Sequence, residues 1–321
     1  MPGFVTHYIF GRETFSKLKY NTQKKNIYYN RAAYGLGLQG PDLFFYYLPS
    51  YAIYGQNIGS IAHTSETGAF FRGLLRSCQK FTTQPERGIA EAYLTGFVGH
   101  YTLDTICHPY IYAMTHYHGK ANDYFSHHAY LETDIDTALL DLKLHRQPCN
   151  FHAADTLTLT RKQKKVIATM LYEAYRYAFP ELNCKKSTIY LGIYSIRLGM
   201  RILHDDTGKR KALARLAEKH FLGYPLFSPL FPSDTLFFRS DPFNMRHATW
   251  RNPWDNSICS DESFFDLYEK AQVLYLSRIR KLNDVLHSDA DSNHRERILL
   301  DFLEDYGNLS FHSGLDASIP S

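Results

Sequence analysis

The sequence predicts an all-α protein, organised as one large domain of many helices. Apolar residues recur at intervals of three and four along most of the chain, and no segment shows the alternation of apolar and polar residues that is typical of a strand. The 321 residues, 44% of them hydrophobic, are enough to build one sizeable core. We therefore expect a single domain over residues 1–310 and a loose tail over residues 311–321.

The helical pattern is carried by ten segments. They are residues 3–18, 26–36, 58–80, 86–106, 122–145, 161–179, 188–204, 208–221, 261–287 and 292–305. Pro85 stands where proline favours the start of a helix, whereas Pro109 predicts a bend or a restart. Residues 223–260 hold several prolines among Phe and Trp, so we expect a packed, irregular excursion there.

The composition argues against several classes of protein. The net charge of +4 is spread along the chain, whereas a nucleic-acid binder usually clusters its Lys and Arg. The five cysteines are far apart and form no CxxC pair, which fits a reducing compartment. No signal peptide and no long apolar run are visible, so we predict a cytoplasmic location without a transmembrane segment, with non-classical export left open.

Five metal-competent side chains repeat at four-residue spacing in the middle of the chain. His100, Asp104 and His108 are each four residues apart, and His128 and Glu132 repeat that spacing further along. Residues four apart share one face of a helix. Because a carboxylate between two imidazoles can bridge two metal ions, the pattern predicts a multinuclear metal site, and such sites usually perform hydrolysis.

Three residues upstream are further candidate ligands, namely His7, Asp42 and His63. An isolated histidine is more often a core or capping residue than a ligand. The clustered residues favour the opposite interpretation, because a buried column of two histidines and an aspartate without a metal would carry a heavy desolvation cost. We therefore predict that the metal-site core lies within residues 1–140.

The pattern resembles the zinc-dependent phospholipase C family, which includes bacterial phospholipases C, fungal zinc nucleases and the catalytic domain of glycosylphosphatidylinositol-specific phospholipase D. The resemblance covers residues 1–140 by motif and continues as an all-helical pattern to about residue 220. His100 and Asp104 match the family's His-x3-Asp pair. The gap of four residues from Asp104 to His108 is similar to the phospholipase D branch.

The resemblance implies two or three zinc ions, whose ligands fall into three sets. The first set is Asp42, His63, His100 and Asp104, and the second is His108, His128 and Glu132. In the third, Asp104 would bridge to an ion completed by His7 and the amino terminus of the chain. Family members begin with Trp, whereas here removal of Met1 would expose Pro2 for that role.

These features predict a phospholipase C-like hydrolase that attacks the phosphorus of a phospholipid or other phosphodiester with a zinc-bound hydroxide. Asp42 is the candidate catalytic residue, because a carboxylate beside the metals can orient or deprotonate water. The aromatic run at residues 44–51 could form a choline- or acyl-facing wall or pack in the core, and Trp250 and Trp254 could close the cleft or pack likewise. We also expect a peripheral contact with a membrane.

Three other interpretations stay open at this point. A single-strand nuclease or another phosphoesterase would use the same metals, with aromatic side chains stacking on bases. The dipeptide His204-Asp205 would fit an HD-type phosphohydrolase if further ligands converge on it. A non-catalytic, zinc-stabilised helical scaffold would have a closed ligand set with no open coordination position.

Overall fold

The computed structural model is 72% helical and confirms the all-α class. It describes residues 3–19, 21–116, 124–232, 241–288 and 291–318. Within these ranges the only sheet is a two-stranded antiparallel hairpin. None of the helices in these ranges combines the length and the apolar character that crossing a bilayer requires.

The described part of the chain forms fourteen α-helices and two strands. The helices are α1 (Phe4–Lys17), α2 (Asn21–Tyr29), α3 (Arg31–Gly37), α4 (Pro49–Tyr54), α5 (Ile58–Thr64), α6 (Thr67–Ser77), α7 (Gln84–Met114), α8 (Tyr124–Leu144), α9 (Ala153–Thr156), α10 (Arg161–Ala178), α11 (Lys186–Leu203), α12 (Lys209–Phe221), α13 (Phe264–His287) and α14 (Ser292–Tyr306). The strands are β1 (Trp250–Asn252) and β2 (Asp255–Ser260). Short 3₁₀-helices include Gly40–Phe44 and Ser228–Leu230.

Each of the ten predicted segments contains a helix, but two of them are broken. The segment 26–36 divides at Asn30 into α2 and α3. The segment 58–80 divides because Ser65 is extended and Glu66 adopts a left-handed backbone with φ of 49°. Such turns depend on single residues, which a search for helical periodicity does not detect.

Helix α7 is longer than predicted and continues through Pro109 over 31 residues. Proline in a helix interior leaves the carbonyl four residues earlier without its usual donor. Here that carbonyl, on Thr105, lies against Gly314 near the end of the described chain, and Pro109 packs on the same glycine. The helix therefore does not restart at Pro109, and a distant segment packs on the turn that the proline weakens.

The irregular excursion at residues 223–260 contains secondary structure that the sequence did not reveal. Strands β1 and β2 pair with an irregular register between Arg251 and Asn252. Their short length and broken alternation explain why no strand was predicted. Trp250 is buried and donates its indole N–H to the carbonyl of Glu262, so it is a core residue.

Helix α7 runs through the centre of the fold and packs against α1, α2, α3, α8, α10 and α13. Its contact with α3 is backbone to backbone, because a Cβ on Gly96 would lie 2.3 Å from the carbonyl oxygen of Tyr34. Likewise a Cβ on Gly37 would lie 2.2 Å from the carbonyl oxygen of Tyr93. These glycines bring the end of α3 close to the middle of α7, where His100 lies.

The last described segment, residues 307–318 (the C-terminal loop), is anchored by Phe311, whereas the sequence predicts a loose tail from residue 311. Phe311 is 1% exposed, and its ring contacts the rings of His63 and Tyr101. Its N–H donates to the carbonyl of His63 at 2.8 Å. An isolated Phe in an irregular segment carries no periodic signal, so this anchor was invisible in the sequence.

Candidate metal centre

The three residues of the predicted column lie on one buried face of α7. His100, Asp104 and His108 are all 0% exposed. The Nε2 atom of His100 lies 3.2 Å from Oδ2 of Asp104, and Nδ1 of His108 lies 3.6 Å from the same oxygen. Helical spacing therefore places the carboxylate of Asp104 between two imidazoles, as the sequence predicted.

Helix α8 presents the second pair to the lower end of this column. Nε2 of His128 lies 2.8 Å from Oε1 of Glu132, and Nε2 of His108 lies 3.7 Å from that oxygen. Nδ1 of His128 forms a hydrogen bond with the hydroxyl of Tyr124 at 3.0 Å. The two helices thus bring three candidate ligands from two separate motifs into one group.

The upstream candidates come from three further elements and reach the same column. Nε2 of His7, on α1, lies 3.0 Å from Oδ1 of Asp104. Asp42 lies in the 3₁₀-helix Gly40–Phe44, and its Oδ1 is 2.8 Å from Nε2 of His63 on α5. The structure therefore brings all eight predicted site residues together. The role predicted for Pro2 and the amino terminus concerns residues outside those that the structure describes.

Three of the histidines are oriented by backbone carbonyl groups. Nδ1 of His63 lies 2.6 Å from the carbonyl oxygen of Gly59. Nδ1 of His100 lies 3.1 Å from the carbonyl oxygen of Leu38. Nδ1 of His108 lies 2.6 Å from the carbonyl oxygen of Phe311. A carbonyl oxygen can only accept, so each Nδ1 carries the proton. The lone pair of each ring is therefore on Nε2, which is the arrangement that metal-ligating histidines use.

The atoms at the centre of the cluster are buried without hydrogen-bond partners. They include nitrogen atoms of His7, His63, His100 and His108 and carboxylate oxygens of Asp42 and Asp104. Buried polar atoms almost always have partners, so this concentration of unsatisfied acceptors needs an explanation. A bound cation would satisfy all of them, and the imidazole and carboxylate donor set suits zinc.

The candidate ligand atoms fall into three groups, two of which overlap, and within each group all atoms lie within 4.8 Å of one another. The groups are His63, His100 and Asp104; His7, Asp42 and His100; and His108, His128 and Glu132. The third group equals the second ligand set implied by the family resemblance. The other two share His100, which stacks on His7 with ring centroids 4.4 Å apart.

Burial governs the protonation of these side chains. It lowers the pKa of His7 to about 3 and that of His63 to about 4, and it raises the pKa of Asp42 well above its usual range. Burial also raises the pKa of Asp104. The site therefore disfavours both imidazolium and carboxylate charges in the absence of a cation, while neutral imidazoles are the form that binds metal.

One residue at the site was missed by the sequence analysis. His312, in the C-terminal loop, places its ring 5.8 Å from that of His63, 5.9 Å from that of His108 and 5.4 Å from that of Tyr112. Burial lowers its pKa well below the usual value. No motif includes His312, because it lies far along the chain in a segment without regular spacing, so only the fold brings it to the site.

The second histidine motif considered, His204-Asp205, follows the end of α11 and lines a cleft together with Glu132. The carboxylate of Asp205 accepts the backbone N–H of Lys211 at 2.9 Å, which is a structural role. Within the described part of the chain, neither residue belongs to a group of metal-competent side chains. The structure therefore gives no support to an HD-type site.

The aromatic run after Asp42 is divided between core and site. Phe44 and Tyr47 are buried in the core. Phe45 lies beside the site, with its ring centroid 5.3 Å from that of His63. Trp254 packs edge-on to Tyr112 at 4.8 Å, and Tyr112 in turn contacts the ring of His108. Phe45, Tyr112 and Trp254 therefore flank the candidate ligands.

Residues 6–183 match a family model described as zinc dependent phospholipase C. The matched stretch is more than half of the chain and contains all eight candidate ligands. Searches of curated proteins and of solved structures found no match.

Proposed function

Because the chain belongs to the zinc-dependent phospholipase C family, we propose that it hydrolyses the phosphodiester bond of phospholipid head groups. The observation that carries this proposal is the set of buried, unsatisfied imidazole and carboxylate atoms contributed by four elements around Asp104. A phosphodiester carries a negative charge, and a cluster that holds several divalent cations is suited to bind it.

The candidate ligands divide into two sets, and a third set shares Asp104 with the first. Asp42, His63, His100 and Asp104 would hold one zinc ion, and His108, His128 and Glu132 would hold a second. His7 would join Asp104 and the amino terminus of the chain in holding a third. We therefore expect two or three zinc ions per chain.

Zinc, when bound, polarises phosphoryl oxygens and lowers the pKa of water toward about 7. Within this arrangement Asp42 would help to hold the metal and would accept the proton of the attacking water. Water attacks phosphorus, and the bond from phosphorus to the leaving alcohol breaks. The leaving oxygen takes the proton that Asp42 accepted, so that Asp42 is a carboxylate again when the alcohol is released.

The aromatic side chains beside the cluster favour a lipid head group over a nucleic acid. Phe45, Tyr112 and Trp254 present ring faces or edges near His63 and His108. Aromatic faces attract quaternary ammonium groups, so a choline head group fits this surface. The same rings could stack on bases, and for that reason the test includes nucleic-acid substrates.

The test combines metal analysis of the purified protein with parallel assays on a phosphocholine ester, a nucleotide diester and single-stranded DNA. We expect at least two zinc ions per chain and release of phosphocholine. Less than one zinc per chain would contradict the proposal, and turnover of DNA alone would reassign the site to a nuclease. Two or more zinc ions without hydrolysis of any substrate would indicate a scaffold.

The role of Asp42 is tested separately with a matched control. Asp42→Asn should lower kcat by about 100-fold or more, since a general base contributes on that scale. Asp141→Asn, an exposed carboxyl on α8, changes the same group away from the cluster and should leave kcat unchanged. Equal rates for the two variants would remove Asp42 from the mechanism.

A further inference from the structure

Helix α12 is attached to the rest of the protein by its polar residues, whereas its apolar residues face solvent. Lys211 and Glu218 are its only buried side chains, and they lie seven residues apart on one face. Leu213 and Leu216 lie on the opposite face and are 68% and 67% exposed. A soluble helix normally has the reverse arrangement.

The attachment of α12 is specific. Nζ of Lys211 donates to the carbonyl of Phe231 at 2.7 Å. Oε1 of Glu218 accepts the backbone N–H groups of Leu226, Phe227 and Ser228. Three charge-assisted hydrogen bonds to one oxygen fix the rotation of the helix, so the leucines are held outward.

The outward face of α12 is cationic as well as apolar. Lys209, Arg210, Arg215 and Lys219 are exposed, and the one acidic residue of α12, Glu218, is turned inward. Nη1 of Arg210 also donates to the carbonyl of Ile202, which joins the start of α12 to the end of α11. The exposed surface of α12 therefore carries cations without any carboxylate.

Helix α11 carries a second row of exposed apolar residues, which ends at this junction. Its exposed apolar residues recur at intervals of three and four, which places them on one face. They are Leu191, Tyr194, Leu198 and Ile202, each between 46% and 58% exposed. We call these residues, together with Leu213 and Leu216, the α11–α12 face.

We propose that the α11–α12 face docks the protein on an anionic phospholipid bilayer. An amphipathic helix with leucines on one side and Lys and Arg around them binds the membrane interface in this way. Its cations meet anionic head groups, and the absence of exposed carboxylates on α12 avoids repulsion. This inference rests on the proposed phospholipid substrate and names the surface that meets it.

The face is also connected to the candidate metal centre. Helix α12 packs on the 3₁₀-helix Ser228–Leu230, which in turn packs on α8. There the hydroxyl of Thr133 donates to the carbonyl of Pro229 at 2.8 Å. Thr133 follows the candidate ligand Glu132. A cleft is lined by Glu132 and Tyr46 together with Leu203, His204 and Leu230. A bilayer held at the α11–α12 face would therefore lie next to a cleft that leads to the cluster.

The test measures binding of the full-length, zinc-loaded protein to vesicles by flotation. One vesicle contains phosphatidylcholine alone, and the other equal parts of phosphatidylcholine and phosphatidylglycerol. Wild-type protein should bind the anionic vesicle, with binding weakened by salt. Leu213→Asp/Leu216→Asp should lower that binding by about 100-fold, at about tenfold for each partly inserted leucine.

Two further variants separate the contributions. Arg215→Gln should weaken binding to the anionic vesicle by about fivefold and leave binding to pure phosphatidylcholine unchanged. Val273→Asp, a 67% exposed apolar residue on α13, is the matched control and should bind like the wild type. Zinc content and circular dichroism verify that each variant is folded.

The outcomes distinguish this proposal from the proposed function. The docking inference is overturned if the double leucine variant binds vesicles like the wild type, or if the wild type binds neither vesicle. A dimer that the leucine substitutions dissociate, without vesicle binding, would assign the face to a second copy of the chain. Hydrolysis of a soluble short-chain phosphatidylcholine is measured in parallel, and its absence alongside intact vesicle binding would refute only the enzyme.

Discussion

Gly40 gives the sharpest test of the metal centre, because its neighbour in space is His100. Gly40 has a left-handed backbone with φ of +47°, and a Cβ added there would lie 2.1 Å from Cδ2 of His100. Ordinary van der Waals contact begins at 3.4 Å, so the ring of His100 would have to move by about 1.3 Å. Metal-ligand distances tolerate only about 0.2 Å, so His100 could no longer bind.

Gly55→Ala is the matched control for Gly40→Ala. Gly55 also has a left-handed backbone, with φ of +74°, but nothing lies within 4 Å of an added Cβ. Both substitutions therefore carry the backbone penalty of about 1–2 kcal/mol. Only Gly40→Ala adds overpacking of about 1–3 kcal/mol and displaces a ligand.

The assay is the zinc content per chain after gel filtration, with thermal unfolding measured on the same samples. Gly40→Ala should lose the zinc held through His100 and retain the ion held by His108, His128 and Glu132, which are remote from the new methyl group. Gly55→Ala should retain all of its zinc. Equal zinc content in both variants would refute the reasoning that His100 is a ligand.

Asp104→Asn should lower the zinc content. In chelator it should raise the melting temperature, because a neutral amide then replaces a buried carboxylate that has no cation. A lower melting temperature in chelator would contradict this expectation. Phe311→Ala should lower the free energy of unfolding in urea by about 3 kcal/mol, and a loss near zero would mean that the C-terminal loop is not part of the core. The hydrogen bond to Glu91 raises the pKa of His287 above its usual 6.5, so this pair stabilises the fold below about pH 6.5 and loses effect as pH rises through the raised value. The stability deficit of His287→Gln in thermal melts should therefore be larger at pH 6 than at pH 9, and a deficit independent of pH would exclude the ionised pair.

The parts of the site that the sequence predicted are those that helical geometry alone determines. His100, Asp104 and His108 share a face because of the 3.6-residue repeat, and His128 and Glu132 do so for the same reason. Asp42 and His63 are different, since they were candidate ligands by residue type but no local rule places them beside the column or beside each other. Their 2.8 Å approach is produced by tertiary packing of a 3₁₀-helix on α5.

The C-terminal loop could not be predicted, because its structure depends on partners far away in sequence. The N–H of Phe311 donates to the carbonyl of His63, and the carbonyl of Phe311 accepts from Nδ1 of His108. These two candidate ligands therefore hold the loop in place, and the loop in turn orients His108. Its sequence has neither helical nor strand periodicity. His312 is brought to the site by these contacts and has no signature of its own.

The group of His108, His128 and Glu132 has the ligand count of a catalytic zinc site and not that of a structural one. Backbone carbonyls hold Nδ1 of His63, His100 and His108, which leaves one inward lone pair on each ring. Structural zinc sites are closed by four protein ligands, whereas catalytic sites use three and keep a position open. Within the described residues, the group of His108, His128 and Glu132 supplies three. An ion bound there would keep one position for water or a phosphoryl oxygen, which a scaffold does not need.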